Sequence, residues 1–318
     1  NSVAVDALGN VYTANARANN VTVLTPSGTS TVLGATGARP TGIALDSAGN
    51  VYTTDTGANT VTKITPAGVS TVLGTTGQRP IGITLDPAGN VYTTNYVDST
   101  VTRITPAGVS TTLAATGTHP LGITRDPAGN LYTANEGSDT VTRITPDGTA
   151  STFGTTGGWP QAIAIDRGGN VYTANWNSRN VSKISPAGRS TILGRTGRRP
   201  IGITLDRAGN VYTTDNGENT VSRIPPGGAS RVIAATGRRP VGITADAAGI
   251  LYGANAASST VTQIFPSRPG SPNVVSLSTV AVASPRNPSA WIIPFYNDVY
   301  ASDDACQAAL PGVMAAVA

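Results

Sequence analysis

One histidine, two well-placed tryptophans, a set of arginines and a recurrent aspartate are the residues whose types could do chemistry in this 318-residue chain. Imidazole can carry a proton near neutral pH, so His119 is the first candidate. It is the only histidine. A zinc centre takes three or four ligands, and His119 with the single cysteine, Cys306, cannot supply them. No G-x-S-x-G elbow is present to activate a serine. No catalytic residue is therefore assigned, and neither a cofactor nor a metal is expected. Trp159 and Trp176 point instead to recognition, because indole buries a large area at low entropic cost. Their structural alternative is that Trp159 packs on Pro160 or fills the interior. Arginine precedes proline at Arg39, Arg79, Arg199 and Arg239, and is doubled at Arg198 and Arg238. Such guanidinium groups can hold a carboxylate, a phosphate or a polyanionic glycan. They can equally stack on neighbours and bond loop carbonyls. The aspartates Asp6, Asp46, Asp86, Asp126, Asp166, Asp206 and Asp246 recur every 40 residues. They could ring a calcium ion, but a residue present in every copy reads more simply as a turn cap.

That 40-residue spacing is the frame on which these residues hang. Tyr12, Tyr52, Tyr92, Tyr132, Tyr172, Tyr212 and Tyr252 keep the same period, so seven copies fill residues 1 to about 265. Within one copy, four short runs alternate β-branched or aromatic residues with polar ones, each bounded by turn signals. In residues 80–114 the expected strands are a, Gly82–Leu85; b, Asn90–Thr94; c, Thr100–Ile104; and d, Ser110–Leu113. Asp86-Pro-Ala-Gly-Asn links a to b, and Thr105-Pro-Ala-Gly links c to d, with glycine late in each turn. Four antiparallel strands per 40 residues, repeated, predict an all-β, seven-bladed β-propeller of four-stranded blades. It is expected over residues 1–280, with a C-terminal aromatic and apolar tail over 281–318. Blade seven has no in-register strand d, and Asn273–Leu277 is expected to supply it. The tail carries Trp291, Phe295, Tyr296 and Tyr300, and it offers a route to self-association.

The units resemble NHL repeats. The motif is Pro-x-Gly-Ile-x-x-Asp-x-x-Gly-Asn-Val-Tyr, seen at Pro40–Asp55 with Asn59–Ile64 and again at Pro200–Asp215 with Asn219–Ile224. The likeness is greatest to the extracellular sensor propeller of bacterial receptor Ser/Thr kinases. It implies a bacterial secreted or cell-surface protein. The lyases found on related propellers rely on several histidines, and this chain has one. Lactonase-type channel calcium would need inward acids, whereas strand a offers Ile, Thr, Ala and one Arg125.

Composition agrees with a β protein that meets water through hydroxyls and amides. Charged residues make up 12%, and the formal net charge is +4. Between Arg167 and Arg239 twelve Lys/Arg face three acids, a local excess of nine, yet no nucleic-acid module accompanies them. No nucleic-acid partner is expected. No run of 18 apolar residues is present, so no membrane insertion is expected. The first residue falls inside a repeat unit, and a longer natural chain is expected. In an a–b–c–d blade the b–c loops and d–a crossovers share one face, and the variable residues collect there. The expected ligand-binding set is Trp159, Trp176, Tyr96, His119, Arg198, Arg199, Arg238 and Arg239. The favoured function is a non-catalytic sensor or adhesion module that binds a protein, a peptide or a cell-wall glycan. A lyase or hydrolase using the same face and a structural protein assembling through its tail are the alternatives.

Overall fold

The computed structural model describes residues 2–265 and the backbone of 277–281. Every regular element in them is a β-strand, and the strands form seven four-stranded antiparallel sheets. The seven-bladed propeller read from the repeat is what the chain forms. Blade three shows the pattern: strand a is Pro80–Leu85, b Val91–Asn95, c Thr100–Ile104 and d Ser110–Ala115. Strand a begins two residues earlier than expected. Pro80 pairs with Asn95 across a register shift, and proline is tolerated at the first residue of an edge strand because it has no N–H to donate.

Apolar residues of strands b and c make the core, and each blade buries them against the next. Tyr52 and Val61 of blade two pack with Val91 and Ile104 of blade three. The isoleucine column Ile64, Ile104, Ile144, Ile184, Ile224 and Ile264 is almost completely buried, and each such side chain contributes about 1.5–3 kcal/mol of transfer free energy. Blades approach so closely at strand a that a Cβ on Gly82 would lie 2.3 Å from the Leu121 carbonyl oxygen. That contact explains glycine in the Pro-x-Gly motif. The ring closes on itself through Val3, Val11 and Leu24 of blade one against Tyr252, Ala254 and Val261 of blade seven.

Strand d of blade seven is Leu277–Ala281, in register from Thr260↔Ala281 to Ile264↔Leu277. The expected segment, Asn273–Leu277, meets this strand only at Leu277, and Asn273–Ser276 lie outside the described residues. The reason is the length of the preceding connection. Twelve residues separate Ile264 from Leu277, where five separate Ile64 from Ser70 in blade two, so pairing resumes later in the chain. The expectations for residues 282–318 also lie outside the described residues.

The recurrent aspartates cap the a–b turns. In blade one the Asn10 amide and the Tyr12 phenol donate to Asp6 Oδ2 at 2.8 and 3.1 Å, and the Asn10 N–H donates to Oδ1 at 2.8 Å. The same trio recurs at Asp46 and Asp206. Burial alone would raise the Asp6 and Asp46 carboxyls, but these hydrogen bonds outweigh it and hold them below the usual range. Among the described residues no group of three or more His, Cys, Asp or Glu side chains comes together as a metal site.

Candidate functional site

Two interlocking hydrogen bonds set each residue of the variable face. The residue before the strand a proline is left-handed in six crossovers: Arg39, Arg79, His119, Trp159, Arg199 and Arg239 have φ between 53° and 60°. Bulky side chains seldom adopt this conformation without a structure that enforces it. Here the N–H of the crossover residue donates backwards to the b–c loop of the preceding blade, as in Trp159 N–H to Asp139 Oδ1 at 2.7 Å. Its carbonyl accepts from the b–c loop of its own blade, as in Trp176 N–H to Trp159 O at 2.9 Å. The same carbonyl contact joins Tyr96 to Arg79 and Glu136 to His119. Crossover and b–c residues therefore alternate round the rim in two columns. The b–c column reads Ala16, Thr56, Tyr96, Glu136, Trp176, Asn216, Ala256.

From blade three to the start of blade six these columns form two groups of stacked side chains. Arg79 lies over the Tyr96 ring at 4.8 Å. Tyr96 stacks on His119, with centroids 4.5 Å apart and an interplanar angle of 9°. Trp159 stacks on Trp176 at 5.1 Å and 20°, and Arg199 lies over Trp176 at 5.3 Å. Offset ring stacking of this kind stabilises by about 0.5–1.5 kcal/mol beyond area burial. His119 is exposed, Tyr96 and Trp159 are half-buried, and Trp176 is buried.

Between the two stacked pairs stands Glu136. Its Oε2 accepts from the Tyr96 phenol at 2.8 Å, and its Oε1 accepts from the Gln161 side-chain amide at 3.1 Å. Burial, with the Glu136 charge and hydrogen bond, pushes the Tyr96 phenol above its ordinary range. Tyr96 therefore stays a hydrogen-bond donor at neutral pH. In blades two and six the same slot serves the backbone instead: Thr56 Oγ1 donates to Pro80 O at 2.7 Å and Asn216 Nδ2 to Pro240 O at 3.1 Å.

Of the expected set, the structure thus pairs Tyr96 with His119 and, separately, Trp159 with Trp176 and Arg199. Arg198, Arg238 and Arg239 are exposed on the same rim. The Arg198 and Arg238 carbonyls accept from Gly217 and Ala257, and the Arg239 N–H donates to Asn219 Oδ1 at 2.7 Å. Glu136, Gln161 and Arg79 belong to the site and were not among the expected residues. Reading down the b–c column would have found Glu136, the only acid in it.

The repeat, the blade count and the loop face together define an NHL-repeat β-propeller, and an NHL-repeat model matches residues 38–64. The chain belongs to the virginiamycin B lyase family, whose model matches residues 69–279. Among solved structures it is similar to a streptogramin B lyase, with a TM-score of 0.72, 19% identity, and coverage of 80% of this chain and 90% of that one. It is also similar to virginiamycin B lyase from Staphylococcus aureus, with a TM-score of 0.64, 21% identity, and coverage of 75% and 83%. A catalytically inactive form of the S. aureus enzyme, with one histidine replaced by alanine, is known with quinupristin. A nidogen/laminin complex contains a further similar chain, with a TM-score of 0.61, 20% identity, and coverage of 73% and 96%. At these identities the likeness to solved structures speaks to the fold. No curated protein matches the chain.

Proposed function

We propose that the b–c and d–a face of blades three to six binds a ring-bearing ligand, a peptide or glycan, by stacking. The observation that carries this reading is the pair of stacks in neighbouring blades, Arg79–Tyr96–His119 and Trp159–Trp176–Arg199. Elsewhere the b–c slot holds only Ala, Thr or Asn, so the aromatic surface is confined to one sector. A single ligand needs such asymmetry, and architecture does not. Arg199, Arg198, Arg238 and Arg239 on the neighbouring rim supply contacts for an anionic group.

The test is a glycan and peptide array with wild type and the W159A/W176A double variant. Loss of stacking is expected to weaken binding by about 1–3 kcal/mol, or roughly 5- to 150-fold. Trp176 is buried, so circular dichroism and melting must first show that the variant is folded. A folded double variant that binds its array ligand in full places the ligand elsewhere.

Family membership favours a second reading, in which this face also carries out an elimination. One general acid or base is at hand: His119 stacks on Tyr96, whose phenol is tied to Glu136. The S. aureus enzyme becomes inactive when one histidine is lost, and His119 is the only histidine here. Incubation with quinupristin, followed by liquid chromatography, is expected to show conversion by wild type and none by H119A. An unchanged substrate with wild type, or equal conversion by H119A, removes the catalytic reading and leaves the binding one.

A further inference from the structure

The two stacks have cations at their outer ends, Arg79 and Arg199, and a carboxylate, Glu136, in the alternating columns between them. Glu136 is only 9% exposed. The donors that hold it, the Tyr96 phenol and the Gln161 amide, are both neutral. Neither brings a positive charge to the carboxylate. An ionised carboxylate has about four acceptor positions, and these two donors occupy one on each oxygen. Aromatic faces attract cations, and Arg79 over Tyr96 shows that this sector already accommodates one. The Glu136 N–H to His119 O contact of 3.0 Å fixes the loop that presents the carboxylate. Glu136 follows His119 and precedes Trp159 in the alternating columns, the place that Tyr96 takes between Arg79 and His119.

We propose that Glu136 selects the charge of the ligand: it seats an ammonium group on the rings of the two stacks, Tyr96, His119, Trp159 and Trp176. This rests on the stacking reading above and narrows it to ligands that combine a ring with an amine. A purely structural Glu136 would tie Tyr96 to blade five through Gln161 and would show no preference for ligand charge.

Three small probes of one skeleton separate these cases: 2-phenylethylamine, 2-phenylethanol and phenylacetate, titrated by ligand-observed NMR. Wild type is expected to bind the amine at least about tenfold more tightly than the alcohol, the scale of one charge-assisted contact, and more tightly than phenylacetate. E136Q keeps an acceptor for Tyr96 and is expected to lose the amine preference while its affinity for the alcohol stays within about twofold. Glu136→Asp keeps the charge and is expected to retain part of the preference, which separates loss of charge from loss of packing. A wild type that binds amine and alcohol equally, or a folded E136Q that still prefers the amine, overturns the assignment to Glu136 and leaves the stacking face intact. A wild type that binds none of the three overturns the stacking face as well.

Discussion

Deleting the chain from Pro272 onward is expected to lower the melting temperature by roughly 10 °C, since losing about 3–5 kcal/mol from a domain of this size shifts Tm by about 2–4 °C per kcal/mol. The deletion removes Leu277–Ala281, all five residues of which pair with Thr260–Ile264. Strand c of blade seven, with Val261 and Ile264 almost completely buried, then becomes the outer strand of a three-stranded blade. Its backbone donors and acceptors lose their ladder, and an open edge of that kind invites pairing with other chains. Blade seven also holds the seam with blade one, through Tyr252 and Val261 against Val3 and Val11. Loosening it weakens closure of the whole ring. Truncation after Ser284, which keeps the strand, serves as the control. If the two truncations melt together at the wild-type temperature, the strand does not close the ring.

The architecture was legible because the repeat is nearly exact. A tyrosine, an aspartate and a Gly-Asn turn returning every 40 residues leave little freedom in blade count. What escaped was tied to departures from the period. The sequence points to Asn273–Leu277 for the closing strand, because Asn-Val-Val resembles Ser-Thr-Val. A closer match to Ser70-Thr71-Val72 lies at Ser278-Thr279-Val280, inside the strand that forms. The candidate site was legible in part. Trp159 and Trp176 could be placed on one face from loop order, and Tyr96 and His119 near them. Their pairing could not be read, because it depends on left-handed crossover residues that periodicity does not reveal. Nothing in the local sequence marks Glu136 as buried. Its burial arises from its neighbours: Tyr96 one repeat earlier and Gln161 on the following blade close over it. Such a contact between successive blades has no signature within any one copy.

Asp215→Asn is expected to stabilise the protein at neutral pH, and the gain is expected to vanish in acid. The last residue of strand b is Asn15, Asn95, Asn135, Asn175 or Asn255 in five blades, and Asp55 or Asp215 in the other two. All but Asn15 of these are almost fully buried. In blade three the Asn95 amide donates to Thr100 and Thr102 at 2.9 and 2.8 Å. In blade six the direction reverses: Ser222 Oγ donates to Asp215 Oδ2 at 2.5 Å, and Thr213 Oγ1 donates to Oδ1 at 3.0 Å. Hydroxyls serve either way, so the hydrogen bonds survive the exchange while the buried charge does not. Burial raises the Asp215 carboxyl from 3.8 to about 6, against the opposing hydrogen bonds from Ser222 and Thr213, with nearby Glu218 adding to the rise. The folded state then holds this proton more tightly than the unfolded state. The aspartate costs nothing below about pH 4. It becomes a growing liability as pH rises through 4 to 6, and a constant one above that. A shift of this size corresponds to at most about 3 kcal/mol. D215N should therefore gain on wild type progressively between about pH 4 and 6 and keep that gain at pH 8. Asp55, raised by burial in the same way, should respond to Asp55→Asn with the same sign. Urea unfolding of wild type and D215N at pH 4, 6 and 8 measures the gap directly. A gap that does not change with pH, or a D215N protein less stable at pH 8, would show that Asp215 is not a buried charge in the folded state.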